Sequence, residues 1–183
     1  MTAQIPDDVI LYGVKFSLVG IQGEGLFTPG DFGIFARFNN TACWRGYVMT
    51  YIVKEEQLIL DRMRVNTKNP IEINDVKPES GGDLFDYCYS NLNLKTEFTG
   101  KLLLAKDFIH SMYVHMGFQR PMAYKTVVEL YLEKGKITLF KDLSRKMEGD
   151  REQNATKGAA PSSNSHEDIE EWVKKTFSLD YDF

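Results

Sequence analysis

The sequence lacks long apolar runs and has little cysteine. No stretch approaches the ~20 consecutive apolar residues that a membrane-spanning helix needs. No apolar segment lies behind a basic start, so we expect no secretory signal. The two cysteines, Cys43 and Cys88, have neither a CxxC spacing nor a metal-site spacing, and we expect them to be free thiols. These absences predict a soluble protein in the reducing cytoplasm, with no membrane contact.

The sequence also has little net charge, no long run of like charges and few histidines. The net charge is −4, and no five consecutive residues carry the same charge. A nucleic-acid surface needs clustered Lys and Arg, so we expect no nucleic-acid partner. Of the three histidines, His110 and His115 are five residues apart. In an extended strand this odd spacing puts them on opposite faces, so they cannot hold one ion. We expect no metal and no cofactor.

Glycine-rich and nucleophile motifs of known mechanism are absent as well. Glycines cluster between Gly20 and Gly33, but no helix opens behind them and no Gly-Lys-Ser/Thr follows. A phosphate-binding loop requires both features. The GxSxG nucleophile turn is missing. We therefore interpret the glycine cluster as a structural turn.

Strand patterns dominate the 183 residues that are present. Two segments each combine a strand, a charged turn and a second strand: Gly46–Val65 and Lys125–Leu143. Further alternation of apolar and polar residues predicts strands at Ile10–Val19, Asp31–Phe38, Phe98–Phe108 and Met112–Phe118. The fold class that follows is mainly β (α+β). We expect a curved antiparallel sheet, as an open barrel or a sandwich, with a C-terminal amphipathic helix.

The C-terminal part has a different composition. Residues 148–165 contain no large apolar side chain, which predicts a flexible linker between a β domain at 1–147 and a helix with its tail at 166–183. Ser165 is placed to cap a helix over Glu167–Phe177 that carries one apolar stripe. We expect this helix to pack on the same domain, or to be exchanged between two copies in a homodimer. A short helix is also predicted at Asp83–Leu94.

Aromatic side chains and two arginines are the candidate ligand contacts. Tyr and Trp combine an apolar body with a hydrogen-bonding tip, and an Arg inside a curved sheet must be paired or must meet an anion. The candidate residues are Arg37, Trp44, Arg45, Tyr47, Tyr113 and Tyr124. They favour a non-catalytic protein that binds a small molecule or a peptide on an aromatic concave face.

Two other functions stay open from the sequence. His115, with Asp107 or Glu24 as a carboxylate partner and an arginine to hold an anion, could serve a small enzyme as general acid or base. A pure interaction protein, assembled through its C-terminal helix, is the third interpretation. Nothing in the sequence identifies a ligand.

Overall fold

The computed structural model describes residues 2–154 and 160–181, and its strands form one nine-stranded sheet. The strands are β1 (Asp8–Leu11), β2 (Val14–Glu24), β3 (Tyr47–Lys54), β4 (Gln57–Val65), β5 (Glu79–Ser80), β6 (Tyr87–Lys95), β7 (Thr99–Phe108), β8 (Tyr124–Glu133) and β9 (Lys136–Asp142). The helices are α1 (Ser144–Asn154) and α2 (His166–Thr176), with 3₁₀ turns at Pro29–Phe32, His110–Met112 and Pro121–Ala123. The predicted mainly β fold with a C-terminal helix is confirmed.

The sheet curls into a closed barrel. Its order is β3-β1-β2-β7-β8-β9-β4, and β4 pairs in turn with β3, so the seven strands form a ring. β5 and β6 extend the sheet outside this ring. All neighbouring strands are antiparallel except β1 and β3, which run parallel. β9 meets β4 at the single pair Gln57–Lys136, where the ring closes.

The interior of the barrel is filled with side chains. Inward positions carry Leu18, Leu60, Leu102, Leu104 and Leu130, and all five are fully buried. Alternation along the strands sends every second side chain to this core, as expected for a small barrel. A ligand site of useful size must therefore lie on the outside of the wall.

A second apolar cluster covers the outer face of β2, β7 and β8. It contains Val19, Leu103, Val127 and Met147, with Tyr181 packed at its edge. Met147 belongs to α1, which lies across β8. The side chain of Arg151, one turn further along α1, donates hydrogen bonds to the carbonyls of Met122 and Tyr124, at 3.0 and 2.8 Å. α1 is thereby fastened to the wall.

Both hairpins of the sequence are present, but five local predictions differ from the structure. The single strand predicted at Ile10–Val19 is broken by a turn at Tyr12 and Gly13, and its two parts pair as β1 and β2. Asp31–Phe38 and Met112–Phe118 are not strands: each begins in a 3₁₀ turn and continues as an ordered loop. The predicted helix at Asp83–Leu94 is strand β6. The segment predicted as a linker, 148–165, starts inside α1 and ends at the cap of α2, while residues 155–159 lie outside the described residues.

Candidate functional site

Two adjoining hollows lie where α2 crosses the outside of the barrel. The larger, about 980 Å³, is bounded by β2, α2 and the loop at residues 114–122, and we call it the α2 groove. Its apolar floor is formed by Val19, Met122 and Met147. The smaller hollow, about 280 Å³, shares Val114 and Trp172 with the groove. The two hollows therefore form one continuous concave surface.

The sequence of α2 explains why it leaves a groove beside it. The Ser165 hydroxyl accepts a hydrogen bond from the Asp168 N–H at 3.2 Å, which is the predicted N-cap. α2 has no buried residue among those described, and Ile169 of its apolar stripe is 39% exposed. Trp172 is half-buried and lines both hollows. The helix thus roofs the groove and does not fill it.

The chain after α2 is fixed to the barrel much more firmly. We call Thr176–Tyr181 the C-terminal strap. Its Thr176 carbonyl accepts from the Phe118 N–H at 2.9 Å, and its Leu179 carbonyl accepts from the Ile21 N–H at 2.8 Å. The Ile21 bond lies just beyond a β-bulge in β2, where the register against β7 shifts. The strap is therefore an irregular extension of the sheet.

Glycine allows the strap to approach the wall closely. A Cβ on Gly20 would lie 2.5 Å from the Tyr181 ring and 2.8 Å from the Leu103 Cβ. A larger residue at position 20 would therefore push Tyr181 off the wall. The Tyr181 hydroxyl donates a hydrogen bond to Glu129 Oε1 at 2.8 Å. Burial, followed by this hydrogen bond, raises the pKa of Tyr181 well above its usual range.

Charged groups of both signs line the α2 groove. Lys174, Lys175, Glu171 and Asp180 are exposed at its rim, whereas Arg120 and Asp150 are half-buried on its wall. Desolvation lowers the pKa of Arg120, but a guanidinium stays protonated at any physiological pH. A cation with reduced access to water attracts an anion more strongly than a solvated one.

Three of the predicted ligand residues lie close together, and one of them, Trp44, contacts the strap. Trp44 stacks on Phe177 with ring centroids 4.6 Å apart. The Arg45 guanidinium lies 4.7 Å from the Tyr47 ring centroid and forms two hydrogen bonds with Asp7, at 2.6 and 3.0 Å. Burial raises the pKa of Tyr47. Trp44 anchors the base of the strap, and none of the three residues lines either hollow.

The other three predicted ligand residues are dispersed. Tyr113 lines the smaller hollow. Tyr124 is buried in the second apolar cluster, where burial raises its pKa. Arg37 lies elsewhere and pairs with Asp86 at 3.0 Å. Of the six, the structure therefore brings Trp44, Arg45 and Tyr47 together and places only Tyr113 at a hollow.

The predicted acid–base residues do not meet. His115 is exposed in the smaller hollow, with its ring edge-on to Tyr113 at 4.9 Å. Asp107 accepts hydrogen bonds from Lys106 and Thr126, which lower its pKa. Glu24 is exposed at the end of β2. Within residues 2–154 and 160–181, no hydrogen bond or ion pair joins His115 to either carboxylate, and no cluster of His, Cys, Asp and Glu could hold a metal ion.

The residues that shape the groove had only weak signals in the sequence. Trp172 stands out as part of the apolar stripe of α2, but Val114 and Arg120 belong to a segment with a misleading strand pattern. The segments that form the groove are distant in the chain, so no local pattern announces them.

Comparisons with known proteins give no relative: no family model, no curated protein and no solved structure matches the chain. None of the helices in the described part of the chain is long and apolar enough to span a membrane.

Proposed function

We propose that this protein is a non-catalytic binding protein and that a small amphipathic molecule lies in the α2 groove. The observation that supports this most is the groove itself. Its volume of about 980 Å³ is at the upper end of the ~300–1,000 Å³ typical of ligand clefts. Its floor is apolar, and its polar groups stand on the wall and rim. This arrangement suits a ligand with an apolar body and one polar end.

An anionic end fits the groove best. The three apolar floor residues would contact the hydrocarbon part of the ligand. Arg120 stands half-buried beside them, and Lys174 and Lys175 lie at the rim. Three carboxylates also line the groove: Glu171 and Asp180 are exposed at the rim, where water screens them, and Asp150 is half-buried like Arg120. Arg120 and the two lysines together match these three carboxylates in number, and an anionic end would be held by Arg120. A carboxylate or phosphate near Arg120 would gain a charge-assisted hydrogen bond.

We assign no catalytic step to this protein because of where His115 and its proposed carboxylate partners lie. His115 lies next to Tyr113, and in the described residues neither proposed carboxylate partner bonds to it. General acid–base catalysis needs partners within hydrogen-bond reach. Binding without catalysis is therefore the simpler function for these hollows.

Tryptophan fluorescence offers a direct test, since Trp172 lines the groove and Trp44 lies under the strap. Titration with decanoate, decanol and decyltrimethylammonium should change the emission, with decanoate binding most tightly. Val114→Arg should reduce decanoate affinity by at least about tenfold, because a long cationic side chain would occupy the concave surface. The matched control Val14→Arg changes an exposed valine outside both hollows and should leave affinity unchanged.

Two results contradict the proposed site. One is equal decanoate affinity in the Val114→Arg and Val14→Arg variants. The other is an absence of any saturable change with all three amphiphiles. A preference for decyltrimethylammonium would retain the groove but reverse the charge assigned to the ligand.

We also propose that the protein works in the reducing cytoplasm. Cys43 is buried and Cys88 is half-buried, and both are free thiols. Free cysteines are typical of reducing compartments. Alkylation of the denatured protein from cells should label both thiols without prior reduction. Labelling only after a reductant is added would contradict this location.

A further inference from the structure

One edge of β9 has no partner over most of its length. β9 pairs with β8 along its whole length, but with β4 only at Lys136. The last bond on that edge runs from the Ile137 N–H to the Glu56 carbonyl, at 2.8 Å. In the part of the chain that the structure describes, no strand pairs with the edge over residues 138–142, and all of these residues are exposed.

The hydrogen-bond pattern shows which groups face this edge. The Leu143 N–H donates to the Val127 carbonyl, directly opposite, at 2.8 Å. Bonded pairs alternate along an antiparallel ladder, so Leu139 and Lys141 also direct their backbone groups towards β8. Phe140 and Asp142 must then direct their N–H and C=O groups away from β8. A row of such groups is a template for another strand.

The side chains of this edge leave it accessible. Leu139 and Phe140, on opposite faces, are 47% and 48% exposed. A lysine often protects an edge from unwanted pairing. Here the Lys141 ammonium donates to the Tyr131 hydroxyl at 2.7 Å and lies 4.6 Å from the ring centroid. Lys141 is thus held on the outer face of the sheet, away from the edge.

We propose that two copies of this chain associate through β9, antiparallel, with Phe140 opposite the partner's Phe140. A two-fold axis perpendicular to the sheet keeps outer faces together and makes the same edge serve both copies. The two Phe140 residues then exchange backbone hydrogen bonds. Leu139 lies opposite the partner's Lys141, and Thr138 lies beside the partner's Asp142. The edge, unpaired in one chain, is satisfied in the dimer.

Occupied backbone groups and like charges disfavour two other symmetric registers of β9, whereas the register at Phe140 lets one edge serve both copies. A two-fold axis at Leu139 would need the edge at Lys136, which β4 already occupies. An axis at Lys141 would place two lysines directly opposite each other, which is destabilising. The axis at Phe140 avoids both problems. The strand is therefore complementary to itself in one symmetric register.

Opposite charges at one position give a sharp test of this register. In the dimer, Leu139→Glu would meet the partner's Lys141, whereas Leu139→Lys would meet a like charge. By sedimentation velocity from about 1 µM to about 1 mM protein, we expect Glu to tighten dimerisation about tenfold and Lys to weaken it about tenfold. Simple loss of apolar surface would make both variants weaker by the same factor.

Phe140→Pro supplies an independent test. Proline removes the N–H that faces the free edge and leaves the bonds to β8 intact, a placement that edge strands tolerate. We expect a monomer whose circular dichroism matches that of the parent. In the parent chain, the Phe140 amide should exchange hydrogen more slowly at high protein concentration than at low concentration.

Several outcomes would overturn the β9 dimer. These are a parent chain that stays monomeric up to about 1 mM, equal association of the two Leu139 variants, or a dimer that persists in a folded Phe140→Pro variant. Persistence would point to assembly through the C-terminal helix. A monomer that captures added extended peptides along this edge would replace the second copy with a peptide partner.

Discussion

The Asp7 carboxylate connects the segment before β1 to the start of β3. Asp7 is 5% exposed, accepts two hydrogen bonds from Arg45 and accepts a third from the Met49 N–H at 2.6 Å. Burial opposes the charge of Arg45, but the carboxylate more than offsets this and raises the pKa of Arg45. The Asp7 carboxylate and the Arg45 guanidinium therefore stabilise each other's charged form where little water reaches them.

Removal of this carboxylate should be costly. Asp7→Ala leaves the Arg45 charge without its partner, and we expect a loss of about 3–5 kcal/mol in the free energy of unfolding. Urea denaturation measures the change. The control Glu170→Ala breaks the exposed pair with Lys174 and should leave the free energy of unfolding almost unchanged. Similar costs for the two substitutions would contradict the importance assigned to Asp7.

Tyr181 should make stability sensitive to alkaline pH. Its pKa is raised in the folded protein, so the protonated hydroxyl is favoured by folding. This contribution is complete below the unfolded pKa of about 10 and is lost as pH rises beyond it. We expect Tyr181→Phe to be less stable at pH 7, because Glu129 loses a donor, and to lose less stability between about pH 10 and pH 12.

Urea denaturation across this pH range is the measurement for Tyr181. Parallel stability curves for Tyr181→Phe and the parent above about pH 10 would show that the tyrosine titrates as it does in the unfolded chain.

Part of the residue-level picture was accessible from the sequence. An arginine in an apolar strand was expected to need a partner or an anion, and Arg45 does have a partner. Its identity was hidden, because Asp7 lies far upstream and meets Arg45 only when β1 pairs with β3. The sequence therefore predicts that Arg45 needs a partner, whereas the strand topology determines which residue that partner is.

At the scale of elements, alanine substitution at Gly149 and at Gly20 should change the stability of the protein in opposite directions. Gly149 lies in the middle of α1, and nothing stands within 4 Å of the place where a Cβ would be. Gly149→Ala should stabilise the protein by about 0.5–1 kcal/mol through helix propensity. Gly20→Ala forces contact with Tyr181 and Leu103 and should destabilise by about 1–3 kcal/mol.

Thermal denaturation compares the two alanine variants directly. For Gly20→Ala, a change in Trp44 emission should accompany the loss, since Trp44 stacks on Phe177 in the strap. A neutral Gly20→Ala variant would mean that the strap does not hold Tyr181 against the wall.

Elements with a regular period were predictable, and elements with local distortions were not. Both hairpins and α2 have regular apolar spacing in the sequence, and all of them form where they were predicted. In β6, Asn91 and Asn93 have φ of 61° and 55°, and the resulting irregularity gives its apolar residues a helix-like spacing. The alternation in Asp31–Phe38 belongs to a loop in which Phe35 is 88% exposed. Alternation alone does not show which residues are covered.

At the scale of the molecule, the barrel core should survive without the strap. Every fully buried residue of that core precedes α1. A chain ending at Asn154 should therefore remain cooperatively folded and lose about 2–3 kcal/mol, the burial energy of one large aromatic side chain. Urea denaturation with far-ultraviolet circular dichroism tests this. An aggregated or unfolded product would show that α2 and the strap are essential to the fold.

The sequence predicted a curved sheet of the barrel type, but it did not predict the α2 groove. Curvature follows from several short alternating strands, but the groove needs β2, the loop at residues 114–122 and α2 to meet on the outside of the wall. Each is unremarkable alone. Their meeting depends on the bulge in β2 that accepts the strap, a contact between opposite ends of the chain.

The single pair that joins β9 to β4 also affects how the chain folds during its synthesis. β9, which pairs with β4, is synthesised some 70 residues after it. Until Lys136 has left the ribosome, the nascent chain has an incomplete sheet with two unpaired edges. A pause in translation before that point would lengthen the time for which those edges are exposed.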